Sequence, residues 1–137
     1  MATNVGTLTT QWAPRMLSIL RIVSALIFMA HGTQKILGFP ASSMNPATFS
    51  LPWIAGILEL VGGALLLVGL FSRPVAFLLS GEMAVAYFIA HAPKSPFPAL
   101  NGGDAAILFC FVFLYIAAAG PGPLSVDAQR RRGTDGY

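Results

Sequence analysis

Residues 53–71, WIAGILELVGGALLLVGLF, form an apolar run interrupted by a single charge, Glu59. About 20 mostly apolar residues are needed to cross a hydrocarbon core of roughly 30 Å as a helix. The eleven strongly apolar side chains of this run contribute about −3 to −6 kcal/mol on an insertion scale, against about +3 kcal/mol for the acid, so the segment inserts unaided. A buried helix of a soluble domain can also be apolar all round. Here, however, the run is followed almost without a break by residues 74–92, and matching runs occupy 16–37 and 103–120. Apolar segments this long and this numerous do not fit inside a soluble core of 137 residues.

The separators carry breaker chemistry: Gly38-Phe-Pro40 with Asn45-Pro46 and Pro52, then Ser72-Arg73-Pro74, then Pro93, Pro96 and Pro98 before Asn101-Gly102-Gly103, and finally Gly120-Pro-Gly-Pro123. The fold class expected is therefore all-α, a polytopic membrane four-helix bundle with spans at about 16–37, 53–71, 74–92 and 103–120. The third run holds fewer strongly apolar residues, and Glu82 leaves it near balance, so it depends on its neighbours. Composition agrees, with 55% apolar residues, 9% charged and a mean hydropathy of +0.73, far from the roughly 25% charged of soluble chains.

The net charge of +3 comes from scattered basic residues and a tail cluster, Arg130 to Arg132, which suits a membrane surface and not a nucleic acid. Arg15, Arg73 and the tail cluster fall on one side of four spans, Lys35 and Lys94 on the other. Residues 1–15 and the basic tail 121–137 are accordingly expected in the cytoplasm. Arg15 leads into a run too long for a cleaved signal, so a retained signal anchor is expected. Cys110 is the only cysteine, which excludes an intramolecular disulfide, a CxxC redox pair or a cysteine zinc cage within one copy.

Ionisable groups inside a membrane need a partner, a water-filled cavity or a function. At about 1.5 Å per residue, Glu82 falls near the midplane, Glu59 and His31 toward the outside, and Lys35, His91 and Asp104 further out in the same half. His31 and Lys35 share a helix face and can be aimed at Glu59, forming either a structural ion pair or a binding or proton-handling site. Gly56 and Gly63 lie near Glu59 on the helix surface, which permits tight packing or leaves room for a ligand. Arg21 is expected to snorkel to the interface. On an ideal helix Glu82 points nearly opposite to His91, so Glu82 is expected to meet Arg21 or a second protomer while His91 joins the outer cluster. His31, His91, Glu59 and Asp104 show no metal-ligand spacing, so no metal is expected. Phe109, Phe111, Phe113 and Tyr115 are expected to face lipid or neighbouring helices.

His31-Gly32 with Lys35 and Gly38, Gly56, Glu59, Gly62-Gly63, Gly69-Leu70 and Arg73, Met83 and His91, Asn101-Gly102-Gly103-Asp104, and Gly120-Pro-Gly with Ser125 and Asp127 together resemble the DoxX family pattern over residues 15–127. The resemblance implies a four-helix inner-membrane protein of bacterial type, related in name to the small subunit of a thiosulfate:quinone oxidoreductase. Family members often carry Glu where this chain has Asp104. That keeps the charge and shortens its reach by one methylene. A shared fold does not carry a shared function.

Three functions remain open. In the favoured one the chain is a redox-linked subunit whose cluster His31, Lys35, Glu59, His91 and Asp104 binds a quinone or another polar-headed molecule. It has no cofactor of its own, because no haem, flavin or iron–sulfur motif is present, and it relies on a redox partner protein. The alternatives are a small proton or solute carrier, for which a homo-oligomer is expected, and a non-catalytic scaffold for partner proteins.

Overall fold

The computed structural model describes residues 5–136, and the helices follow the apolar runs. Helix α1 spans Val5–Leu37, α2 Leu51–Val68 and α3 Ser72–Ala86, which continues through one π-helical turn, Tyr87–His91. A four-residue turn α4, Pro98–Asn101, leads into α5, Asp104–Ala119, and the tail ends in α6, Val126–Thr134. No strand occurs among the described residues. Three helices, Val5–Leu37, Leu51–Val68 and Ser72–His91, are long and apolar enough to cross a membrane. The fourth run forms a helix of 16 residues, about 24 Å long.

Helix α1 begins eleven residues before the run expected to span. Its 33 residues amount to about 50 Å, more than a bilayer core requires. Pro14 is accommodated inside it, near the end that projects beyond the other helices. At the opposite limit, α2 stops at Gly69, whose φ of 74° supplies the left-handed cap and whose N–H bonds the Leu65 and Leu66 carbonyls. The chain then needs only Leu70 and Phe71 before α3 begins.

The surface is inverted relative to a soluble protein. Arg21 and Glu59 are 1% and 2% exposed, whereas Phe77 is 66% exposed and large apolar side chains cover the outside of every long helix. That distribution suits hydrocarbon as the surrounding solvent, and the protein is membrane-embedded. Inside, Phe28 of α1 sits edge-on to Phe113 of α5 at 4.9 Å between ring centroids, with Leu66, Leu79 and Ile116 completing the core. The aromatics of α5 divide by face: Phe113 is buried, and Phe111 and Tyr115 point outward.

The helices pack as two close pairs, α1 with α2 and α3 with α5, while the α2–α3 and α1–α5 seams between the pairs are thinner. Glycine sets the first pair's spacing. A Cβ on Gly32 would stand 2.7 Å from the Leu60 nitrogen and 3.0 Å from the Gly56 carbonyl, and one on Gly56 would stand 2.9 Å from Cβ of Lys35. Gly62 faces Leu79 and Gly63 faces Met29 at similarly short range. Backbone atoms cannot retreat as a flexible side chain can, so Gly32→Ala is expected to lower stability by about 1–3 kcal/mol. Gly81→Ala, where the space is open, should be neutral or slightly stabilising. Thermal unfolding of the two variants in detergent checks the difference.

Candidate functional site

Two polar groups of side chains stand about 20 Å apart along α1, given the fourteen residues from Arg21 to Lys35. The first lies where α2 ends and α3 and the tail begin. Arg21 does not snorkel. Its guanidinium is buried, with Nη1 donating to the Pro121 carbonyl and Nη2 to those of Leu124 (2.7 Å) and Leu67 (3.5 Å). The Gly120–Ser125 turn folds over it. Below, the Ser18 hydroxyl accepts from the Leu124 amide at 3.1 Å and donates to Pro121 O at 3.3 Å. Gly69 makes the approach possible, because a side chain there would run into Ser125 and the Arg21 guanidinium.

The same tail caps α3. The Asp127 carboxylate accepts from the Phe71 amide at 2.9 Å and the Ser72 amide at 2.8 Å, while its own N–H donates to Gly69 O at 2.9 Å. Arg73 in turn donates to the carbonyls of Ala117 (3.2 Å) and Ala118 at the C-terminus of α5, where a cation complements the helix dipole. Burial alone would push the Asp127 carboxyl up. The amides of Ser72 and Phe71, the Ser72 hydroxyl alongside and the nearby Arg130 outweigh it and hold the group below the usual carboxylate range.

The second group lies between the helix pairs. Lys35 Nζ donates to Glu59 Oε1 at 2.6 Å, in an ion pair 18% and 3% exposed at its side chains. The Glu59 Oε2 atom and both oxygens of Glu82 are buried and have no hydrogen-bond partner. Glu82 lies within electrostatic reach of both Glu59 and Lys35 and makes no hydrogen bond to Arg21. Arg21 is engaged instead by the tail carbonyls. His31 lies close enough to act electrostatically on Glu59, but its ring is on the exposed side of α1 against Phe109, at 6.2 Å between centroids. Gly56 and Gly63 bring α1 against this stretch of α2, which fills the space on the α1 side of Glu59.

His91 belongs elsewhere. The π-helical turn carries it next to Asn101, whose carbonyl lies 3.0 Å from His91 Nδ1. Asn101 is buried, donates to the Tyr87 hydroxyl (3.2 Å) and the Ser95 carbonyl (3.0 Å), and accepts from the Gly103 amide (2.8 Å). This hub folds the 93–102 loop back over the end of the bundle. Asp104 begins α5 in an exposed position. The five residues expected to share one outer cluster are thus divided into the Lys35–Glu59 pair with His31 beside it, the His91–Asn101 contact, and Asp104 at the rim. Among the described residues no three His, Cys, Asp or Glu side chains converge as a metal site would require. Ser18, Asn101 and Asp127 were assigned no role from sequence. A serine or aspartate just past a Gly-Pro-Gly-Pro turn, at a helix start, is the signal that marks such a cap.

The sequence of this membrane bundle matches a known family over its first three long helices. The DoxX family model matches residues 16–92, and the chain belongs to the DoxX family. It is 43% identical over 123 residues to an uncharacterised protein of Haemophilus influenzae, covering 85% of this chain and 92% of that one. It is 28% identical over 127 residues to the inner membrane protein YphA of Escherichia coli, covering 85% and 91%. A third relative, named "Putative oxidoreductase CatD", from Bacillus subtilis, is 26% identical over 113 residues, covering 80% and 82%. No solved structure gives a significant match.

Two measurements follow from the geometry. Asp127→Asn is expected to cost about 1 kcal/mol at neutral pH, the size of a lost helix cap. The depressed carboxylate of the wild type stabilises the fold above the unfolded-state pKa of about 4, and this contribution disappears as pH falls through the lower folded-state value. The gap between wild type and variant in thermal unfolding should therefore close below about pH 4. For the ion pair, Lys35→Met alone is expected to cost about 3 kcal/mol because it strands a buried carboxylate, and the double variant Lys35→Met with Glu59→Gln should cost less than the sum of the two single changes.

Proposed function

We propose that this DoxX protein is a redox-linked subunit of a bacterial inner membrane that binds the head group of a quinol at Glu59 and Glu82. It crosses the membrane four times as a four-helix bundle, with α5 as the fourth span and both termini cytoplasmic. The observation that carries the reading is the set of buried carboxylate oxygens without donors, Glu59 Oε2 and both oxygens of Glu82. An acceptor held out of water without a partner is costly. A quinol offers two hydroxyl donors on an apolar ring, which suits acceptor oxygens between apolar helices. The thin α2–α3 seam gives a membrane-dissolved molecule a lateral approach. Lys35 holds Glu59 Oε1 and leaves Oε2 for the ligand.

The basic residues at Arg15, Arg73 and Arg130–Arg132 support the orientation, and the name of the YphA relative supports the inner membrane. The name of the CatD relative supports an oxidoreductase association. The chain itself carries no electron carrier, so oxidation of the quinol requires a partner redox protein. The role left to these residues is to bind and orient the head group.

Native mass spectrometry of protein gently extracted from its own membrane tests the reading. The wild type should retain a quinone-class ligand, and Glu82→Gln and Glu59→Gln should each lower its occupancy about ten-fold, the effect of losing a hydrogen bond to a charged group. A folded wild type that carries no such ligand, or variants that hold it equally well, would leave the carboxylates as helix-assembly contacts and reject the proposal.

A further inference from the structure

The tail creates a second feature at the opposite end from the carboxylates. Where α6 folds against the start of α3, an open cleft of about 470 Å³ is lined by Ser72, Arg73, Arg130, Arg131 and the Phe71 ring. Three arginines face it against one carboxylate, Asp127, which is already engaged by two backbone amides. Arg130 is held over the exposed Phe71 ring, 5.4 Å from its centroid. Arg73 is anchored by the α5 carbonyls, so neither guanidinium is loosely placed.

The cleft also sits where charge gives way to hydrocarbon. Phe77, one helical turn after Arg73 on the same face, is exposed, as is its neighbour Leu78. Cations at this level with an apolar strip immediately inward match an amphiphile whose anionic head lies in the interface and whose chains run along the helix. We propose that the cleft binds the phosphate of an anionic phospholipid, with Arg130 and Arg131 on the phosphate oxygens and the acyl chains along Phe77 and Leu78. Guanidinium groups suit this role because their planar fork pairs two donors with two phosphate oxygens. A free phosphate ion would satisfy the arginines equally but would leave the apolar strip unused. This site is independent of the quinol reading, sharing none of its residues.

Lipid retention in native mass spectrometry, from micelles containing phosphatidylglycerol and phosphatidylcholine in equal amounts, tests the site. Arg131→Gln and Arg132→Gln remove the same charge one residue apart, but Arg132 does not line the cleft and donates to the Pro123 carbonyl instead. Wild-type protein should retain phosphatidylglycerol in preference. Arg131→Gln and Arg130→Gln should each reduce that retention about five-fold, and Arg132→Gln less than about two-fold. Arg131 lies on the exposed surface of α6, so the thermal midpoint of Arg131→Gln should stay at the wild-type value. Equal losses in Arg131→Gln and Arg132→Gln would show diffuse attraction by the tail and overturn the site. So would the absence of a preference for phosphatidylglycerol. Displacement of the lipid by millimolar inorganic phosphate would identify the free ion as the ligand and overturn the lipid assignment.

Discussion

The buried guanidinium of Arg21 constrains the rest of the structure. A cation in a helix that crosses hydrocarbon must reach water or be surrounded by acceptors, and here the acceptors come from the far end of the sequence. The Pro121 and Leu124 carbonyls cannot reach it unless the Gly120–Ser125 turn folds inward, and that turn cannot fold inward unless α2 ends at a residue without a side chain, Gly69. With the turn in place, Ser125 starts α6 and Asp127 falls within reach of the first amides of α3. One charge therefore ties α1, the α2–α3 corner and the tail together, and Arg73 adds the end of α5.

This arrangement makes the two ends of the bundle unlike. At the Arg21 end each long helix is joined to another by hydrogen bonds from side chains to backbone carbonyls or amides. At the Lys35 end the α1–α2 pair is closed by glycine contacts and an ion pair, and between the two pairs lie carboxylate oxygens that lack donors, Glu59 Oε2 and both of Glu82. The α2–α3 seam is thinner than the contacts within either helix pair. The proposed quinol site lies in that seam.

Much of the architecture was legible because hydropathy and breakers act locally. The 53–71 run with Gly69, and the Asn101-Gly-Gly and Gly120-Pro-Gly-Pro turns, place the helices to within a few residues. The extension of α1 back to Val5 was not legible, since Trp12, Pro14 and Arg15 interrupt the apolar pattern without interrupting the helix. The Lys35–Glu59 pair could be anticipated, because both spans had to bring an unlike charge to similar depth. The position of Glu82 could not. An ideal helix fixes which face a residue occupies but not which neighbour that face meets, and Arg21, its nearest obvious partner by charge, had acceptors one hundred residues away in sequence. Membership of one outer cluster failed for His91 because depth along a span does not fix direction: its ring lies beside Tyr87 and the Asn101 carbonyl.

The division between Arg21 and Glu82 bears on why opposite charges in neighbouring spans did not pair. An Arg21–Glu82 bridge would neutralise both groups, but it would leave the tail carbonyls without their donor and α3 without the cap that the folded tail supplies. Carbonyl ligands for the arginine keep the chain's end fixed at the bundle, and in doing so they leave the acid of the third span beside another acid instead of a cation. A bundle organised only for stability would gain from exchanging Glu82 for an apolar side chain of similar volume, since a buried carboxylate without donors is costly. The cost of keeping the acid falls at a seam between the helix pairs that is thinner than the contacts within either pair, which is where the proposed quinol would supply the missing donor.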